Sequence, residues 1–307
     1  MKRYIRAVVA GMLVALLFCM VKNFIGHKFP NSSYGMQAAI GMEEIDHLFI
    51  GSSLFRQGID ILTLEEHMEG KSYIMSYNGN QPVQILEEMR MLLRNDVKIE
   101  NAYVDLYVYS AALRPAISDT KLIWDLDFSG KVTIYKDMVT YSEAGFPEFF
   151  DFFIKSNNEY MVMYPVFYSI LQSEFYKGGN IRETIGSTSE ILDNLGTPGD
   201  RAGIDPVQKK ALREIVKLCK EENINLYFVE VPKYYTLAET DYYIRLRSEL
   251  ESIVSDCKYA KAEEVVFDNE NPAYYQDLFH LSAEGRRTYT KNLINRIEEI
   301  KAEEVVK

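Results

Sequence analysis

The feature that most limits the fold of this chain is an alternation. From Asp46 onward, short apolar or aromatic runs are separated by segments with helical spacing. His47–Ile50 ("HLFI") reads as a buried strand, and "GIDILTLEEHM" follows with helical periodicity. Lys71–Tyr77 ("KSYIMSY") is a second strand, rich in aromatic and β-branched residues. Next, "NGNQPVQILEEMRMLLRN" places Pro82 near a helix start and repeats Ile85, Met89 and Leu92 or Leu93 on one face. Asn101–Ser110 ("NAYVDLYVYS") reads as a third strand. Toward the C-terminus, Asp205 caps an amphipathic helix with Pro206 at its first position. "INLYFVEVP" is a strand ended by Pro232, and "AETDYYIRLRSELESIVSDC" is another helix. "AEEVVF" reads as a short last strand, and "SAEGRRTYTKNLINRIEEI" closes the chain as a helix.

Strands separated in this way by helices require parallel βαβ crossovers. The expected fold is therefore α/β, a three-layer, flavodoxin-like parallel sheet with helices on both faces. A chain of 307 residues is long enough for one large domain of this kind. Between Leu113 and Thr197 the alternation breaks. No strong strand is visible there, and aromatics crowd "FPEFFDFFIKSNNEYMVMYPVFYSILQSEFY", so a helical insertion over 113–197 is expected. Its aromatics either pack on the α/β core or form a lid or docking surface over the strand tips, where open α/β sheets bind ligands. The polar "GSTSEILDNLGTPGDRAG" reads as a loop returning the chain to the core.

The N-terminus carries Lys2, Arg3 and Arg6 before an uncharged run from Ala7 to Val21. That run is short for a bilayer span, but Lys22 can snorkel and let Asn23–Ile25 extend it. No small-residue cleavage site follows, so an uncleaved signal anchor is favoured over a cleaved signal peptide or a buried helix. The preceding charges orient the N-terminus to the cytoplasm. Everything after about Lys28 would then lie outside the cytoplasmic membrane, on a single-pass cell-membrane protein. The formal net charge of −11 argues against nucleic acid as a partner, since phosphate binding requires a basic face. Of the three cysteines, Cys19 lies in the apolar run, so at most Cys219 and Cys257 could pair.

The strand His47–Ile50 stops at Gly51-Ser52-Ser53, and two hydroxyls behind a glycine suit a nucleophile at a strand tip. A serine hydroxyl needs an adjacent base. Of the four histidines, His27 is close to the apolar segment, His47 lies at the opposite end of its strand, and His67 sits among charged residues in "EEHMEG". His280 stands in "YQDLFHLSAEG", three residues after Asp277. A D-x-x-H spacing lets a carboxylate hold one imidazole nitrogen while the other faces a serine. Each residue alone also has a structural reading, with Asp277 as a cap and His280 as a satisfied ring. Parallel strands end on one side, so Ser53 and the Asp277–His280 pair can meet.

These blocks resemble the SGNH/GDSL hydrolase superfamily, over Ile45–Tyr77 and again from Asn223 to the C-terminal helix. Within it they resemble the membrane-anchored extracytoplasmic branch associated with polysaccharide or teichoic-acid acyl modification. The family's first block ends a strand in Gly-Asp-Ser. Here it reads Gly51-Ser52-Ser53, which implies Ser53 as nucleophile and replaces the aspartate by Ser52. The family's last block, Asp-x-x-His, falls on Asp277 and His280. For the oxyanion the resemblance implies the Ser53 N–H and Gly79 of "YNGNQP", with Asn78 or Asn80 nearby. "NGNQP" also reads as a turn into a helix. The family's third-block asparagine has no counterpart in "VDLYVYSAALRP", unless Asn80 replaces it. The resemblance divides the chain into a stub and anchor over 1–28 and an SGNH-like domain over 29–307.

There is no Gly-rich phosphate loop after the first strand, no HExxH and no GxSxG elbow. No cofactor and no metal are implied; a metal on Asp277 and His280 would need further ligands, and Asp46 and His47 are topologically distant. The expected function is a serine acyl esterase or O-acyltransferase on an acylated glycan or cell-envelope polymer, with a membrane O-acyltransferase as a candidate partner. The alternatives are a non-catalytic, membrane-tethered binding or assembly factor for polysaccharide acylation, and a soluble intracellular lipid esterase.

Overall fold

The computed structural model describes residues 35–116, 119–141, 175–197 and 203–305, together with isolated positions between 4 and 17. Five strands form a parallel sheet: β1 (Glu44–Gly51), β2 (Ser72–Ser76), β3 (Lys98–Asp105), β6 (Asn225–Val229) and β7 (Lys258–Ala260). Their spatial order is β2-β1-β3-β6-β7, the flavodoxin-like winding in which the topological switch falls between β1 and β3. Parallel strands covered on both faces read as continuous apolar runs, and "HLFI" and "YIM" do. Phe49, Tyr103 and Tyr227 share one register row across β1, β3 and β6. Their rings stack at 4.3 Å and 5.0 Å, which pins the mutual register of three strands.

Helices form where capping and periodicity agree. Pro206–Glu221 starts at the Asp205 cap, whose carboxylate accepts from the Val207 N–H, and it buries Val207, Ala211, Leu212, Ile215 and Cys219. Pro82–Arg94 opens on Pro82, with Gln81 and Gln84 bonding reciprocally across its first turn. "GIDILTLEEHM" is helical only over Ile61–His67, however, and a separate helix, Ser53–Gly58, ends at its first residue. Asp60 makes the break: its Oδ1 accepts from the N–H and hydroxyl of Thr63, while its Oδ2 accepts from Arg286 on the long C-terminal helix Ala283–Val305.

Three expectations need correction. The strand expected over Asn101–Ser110 ends at Asp105, and Val108–Ala111 makes a single helical turn. Both neighbours stop there, at Gly51 and Val229, so no ladder partner remains beyond Leu106. The last strand is Lys258–Ala260 rather than "AEEVVF"; Ala262–Glu264 is a 3₁₀ turn whose first N–H is taken by the Glu230 carboxylate. The middle segment is not purely helical. It holds the helices Thr120–Asp125 and Phe128–Tyr141, an antiparallel ribbon of β4 (Phe175–Tyr176) and β5 (Gly179–Asn180), and a short helix, Ser189–Asp193, within the stretch expected as loop.

The ribbon covers the free edge of β2, where the Lys177 carbonyl accepts from the Ile74 N–H at 3.0 Å. Gly178 permits this approach: at φ 80 it lies left-handed, and a Cβ there would stand 1.8 Å from the Ile74 carbonyl oxygen. The expected helices and lid over 142–174 lie outside the described residues. Among the described residues no helix is long and apolar enough to cross a membrane, and most of the apolar N-terminal run falls outside them. Cys219 and Cys257 are both free thiols.

The Asp60–Arg286 pair joins the segment after β1 to the helix after His280, with both side chains almost fully buried. Asp60→Ala would leave a buried guanidinium without its counter-ion. A loss of about 3–5 kcal/mol in unfolding free energy is expected, to be measured by denaturant titration; a loss near zero would show that the pair holds nothing.

Candidate active site

β1 delivers the first component. Gly51 is required at its tip because β3 passes so close that a Cβ would sit 2.2 Å from the Cβ of Asp105. Ser52 then caps the helix Ser53–Gly58, its Oγ accepting from the Leu54 N–H at 3.2 Å. The same residue donates twice to Asp105 Oδ2, from its N–H at 3.1 Å and from its hydroxyl at 2.5 Å. Ser53 is the first helical residue, so its own N–H has no acceptor within the helix. The backbone at Ser53 is thus fixed by the tip of the neighbouring strand.

The second component comes from the loop before the C-terminal helix. Asp277 Oδ1 accepts from the N–H groups of Phe279 and His280, each at 2.8 Å, which curls the loop into a tight turn. Its other oxygen, Oδ2, lies 2.8 Å from His280 Nδ1, and His280 Nε2 lies 2.9 Å from Ser53 Oγ. An ionised carboxylate can only accept, so the imidazole proton sits on Nδ1 and the Nε2 lone pair faces the serine hydroxyl. Burial pushes the Asp277 carboxyl up, but the hydrogen bond and charge of His280, with the two backbone N–H groups, outweigh it and hold it below its ordinary value. The His280 and Asp277 side chains are 24% and 41% exposed, so the relay is open to a solute.

Further bonds hold this loop. Gln276 Nε2 donates to Gln57 Oε1 at 2.8 Å, joining it to the helix that begins at Ser53. The Gln276 N–H donates to the His280 carbonyl at 2.8 Å, closing the turn. Ser187, following the ribbon, donates its N–H to the Tyr275 carbonyl and its hydroxyl to the Gln276 carbonyl, both at 2.7 Å. Gln57, Gln276 and Ser187 were not singled out from sequence. Each is an ordinary polar residue whose partner lies far along the chain, so no local signal marks it.

The oxyanion candidates separate. Gly79 is half-buried and left-handed, at φ 60, in the turn after β2. The β1–β2 register pairs Gly51 with Ser76, which brings this turn beside the Ser52–Ser53 turn. Asn78 is bonded on both sides: its N–H donates to Asp119 at 2.8 Å, and its Oδ1 accepts from Arg56. Asn80 does not serve as an oxyanion donor. Its amide is buried, and its two hydrogens go to the Gly51 carbonyl at 3.1 Å and to Glu88 Oε2 at 3.2 Å. A flipped amide would set its oxygen against the Gly51 carbonyl oxygen, so the orientation is fixed. Asn80 instead ties the tip of β1 to the helix Pro82–Arg94. Beyond Asp105, the tip of β3 continues as Leu106 and Tyr107 and offers no amide side chain.

His47 and His67 stand apart from the site, and His27 lies outside the described residues. His47 is buried with Nε2 2.8 Å from the Glu69 carbonyl, and His67 Nδ1 lies 3.1 Å from the Thr63 carbonyl. Both line a polar cleft of about 760 Å³ at the opposite rim, together with Asp46, Asn101 and Lys258. Asp46 and Ser52 are separated by the length of β1, roughly 20 Å at the rise of a strand. Asp46 and His47 therefore cannot join Asp277 and His280 around one ion.

The chain matches no family model, and no curated protein matches it in sequence. Solved structures do match in shape. One is a provisionally assigned platelet activating factor from Streptococcus pneumonia, 11% identical with a TM-score of 0.39, covering 94% of this chain and 99% of its own. A provisionally assigned acylhydrolase from Bacteroides fragilis is 13% identical with a TM-score of 0.39, covering 85% of this chain and 87% of its own. A GDSL-like lipase from Bacteroides thetaiotaomicron is 11% identical at the same TM-score of 0.39, covering 84% and 89%.

The hydrogen bond from Nδ1 to Asp277 is directly observable. A proton spectrum of the protein should show a downfield imidazole N–H resonance that disappears in Asp277→Ala and in His280→Ala. Its persistence in Asp277→Ala would mean that another group holds the ring.

Proposed function

We propose that this protein is a serine acyl esterase or O-acyltransferase of the SGNH/GDSL type. In this reading it works outside the cytoplasmic membrane on an acylated glycan or cell-envelope polymer. The observation that supports it best is the continuous chain Ser53 Oγ–His280 Nε2, 2.9 Å, and His280 Nδ1–Asp277 Oδ2, 2.8 Å, between residues more than two hundred positions apart. A hydroxyl, an imidazole and a carboxylate in this order form the working arrangement of nucleophilic acyl transfer.

Ser53 Oγ attacks the ester carbonyl while His280 Nε2 takes its proton. Asp277 holds the ring and stabilises the imidazolium that forms. The N–H groups of Ser53 and Gly79 receive the developing negative charge on the carbonyl oxygen. Collapse of the tetrahedral intermediate expels the alcohol, which takes the proton from His280, and leaves an acyl-enzyme on Ser53. Water, or a sugar hydroxyl activated by the same imidazole, then releases the acyl group. A membrane O-acyltransferase would be the partner that shares the acyl group with this site.

Lys2, Arg3 and Arg6 before the uncharged run Ala7–Val21 support a single-pass anchor over residues 1–28 with the domain 29–307 outside. A tether keeps an enzyme beside a polymer or a membrane partner. A second reading, a tethered binding or assembly factor without catalysis, draws on the engagement of both Asn80 hydrogens and on the lack of an amide beyond β3.

A fluorophosphonate probe separates the two. Labelling is expected at Ser53, abolished in Ser53→Ala and slowed on the order of 10³- to 10⁴-fold in Asp277→Asn, which disturbs the tautomer. A wild-type protein that never labels leaves the binding reading. The anchor has its own test: the full chain should stay with salt-washed membranes and be released when residues 1–28 are deleted. Recovery of the full chain in the soluble fraction would exclude it.

A further inference from the structure

Behind the Ser53 turn lies a buried lysine that the mechanism above does not use. Lys233 follows β6 and is only 3% exposed. One of its three N–H bonds goes to the Val231 carbonyl at 2.5 Å, and its ammonium stands 5.6 Å from the centre of the Tyr107 ring. Backbone bonds at neighbouring residues join its segment to both halves of the site. Leu106, next to Asp105, donates its N–H to Val229 at the end of β6, and Tyr234, next to Lys233, donates its N–H to the Leu278 carbonyl, next to Asp277. The charged groups acting on Lys233 are Asp105 from β3, Glu230 from β6, Asp277 from the histidine loop and Arg247 from the helix Asp241–Ile253.

Asp105 is a buried carboxylate at this rim with one oxygen unbonded. Its Oδ2 accepts two hydrogen bonds from Ser52, while its Oδ1 has no hydrogen-bond partner among the described residues. Burial drives its carboxyl up from the ordinary value, against the charge of Lys233 and the two bonds from Ser52. A protonated Oδ1 would need an acceptor, and an ionised one needs a cation nearby. Glu230 is already engaged by the hydroxyls of Tyr243 and Tyr259 and by Arg247. Asp277 is engaged by His280.

We propose that Lys233 is a positioning residue: as the buried counter-charge of Asp105 it keeps that carboxylate able to hold Ser52, and through Ser52 it fixes the turn that aims Ser53 at His280. This deepens the nucleophile reading of Ser53 and rests on it. Where the resembled family carries an aspartate between the glycine and the serine, this chain places its carboxylate on the neighbouring strand and its cation on the next. Lys233 touches no substrate. Its effect falls on the attack step and leaves binding alone.

Desolvation lowers the Lys233 ammonium to about 8, opposed by the surrounding carboxylates. The positioning charge is thus present below that pH and lost above it. The test measures probe labelling of Ser53 and ester hydrolysis from pH 6 to 10 in wild type, Lys233→Met, Lys233→Arg and the double variant Lys233→Met/Asp105→Asn. Wild-type rates should fall above about pH 8. Lys233→Met should lose roughly 10²-fold in kcat with KM little changed and no remaining alkaline fall, the loss expected of a displaced nucleophile.

Lys233→Arg, which keeps its charge, should label near the wild-type rate with its alkaline fall moved to higher pH. The double variant, with both charges removed, should recover part of the loss. If Lys233→Met melts out, the comparison of wild type with Lys233→Arg still decides. Equal rates and one shared alkaline limb across the single variants would overturn the assignment of Lys233 while leaving Ser53 intact. A wild type that never labels at Ser53 would overturn the nucleophile reading and this assignment with it.

Discussion

The site depends on one constraint, the common register of three parallel strands. Phe49, Tyr103 and Tyr227 form a stacked row across β1, β3 and β6. Two residues beyond each ring the strand ends, at Gly51, Asp105 and Val229. A slip of one residue would turn each of these side chains to the other face of the sheet. It would also carry Asp105 away from Ser52 and the Ser53 turn away from the histidine loop. The aromatic row contributes to the core and also sets where the chemistry-bearing tips end. It does so at the switch point between β1 and β3, where sheets of this winding hold ligands.

On that frame, the histidine loop is held by bonds of long sequence separation, of which only the buried Asp60–Arg286 pair is individually strong. Gln57 to Gln276, Ser187 to Tyr275 and Gln276, Tyr234 to Leu278, and Asp60 to Arg286 reach it or its following helix from four different segments. A neutral hydrogen bond contributes about 1 kcal/mol net. No one of these bonds dictates the loop, yet together they leave the imidazole one place to be. The strap that includes Ser187 arrives from the β4–β5 ribbon, so the segment that shields the edge of β2 also braces the loop carrying the relay.

Charge at this rim is arranged by burial as much as by pairing. Asp277, partly open to solvent and bonded by its own turn, is held ionised beside His280. Asp105, closed off from water, is pushed the other way, against the charge of the buried Lys233 ammonium. The amide of Asn80 is committed between the Gly51 carbonyl and Glu88 and braces the strand tip. In the proposed reaction the oxyanion donors are then backbone N–H groups, whose positions follow from helix and turn geometry and not from side-chain rotamers.

The alternation of apolar runs and amphipathic segments determined by itself that the sheet is parallel and helix-covered, because no short connection can join parallel strands. The Asp205 cap and Pro82 at a first helical position marked helix starts for equally local reasons: the carboxylate accepts from the Val207 N–H, and proline fixes φ where a missing N–H costs nothing. The D-x-x-H spacing likewise contained the Asp277–His280 bond, three residues being one turn. Other features were decided only in three dimensions. β3 ends at Asp105 because its neighbours end, which its own apolar run through Tyr109 cannot reveal. Asn80 looked available in sequence and is occupied in space, since its acceptors are a carbonyl on β1 and a carboxylate two helical turns on. The meeting of Ser53 with His280, and the place of Lys233 between Asp105 and Asp277, follow from strand order and register, which belong to the folded sheet and to no single stretch of the chain.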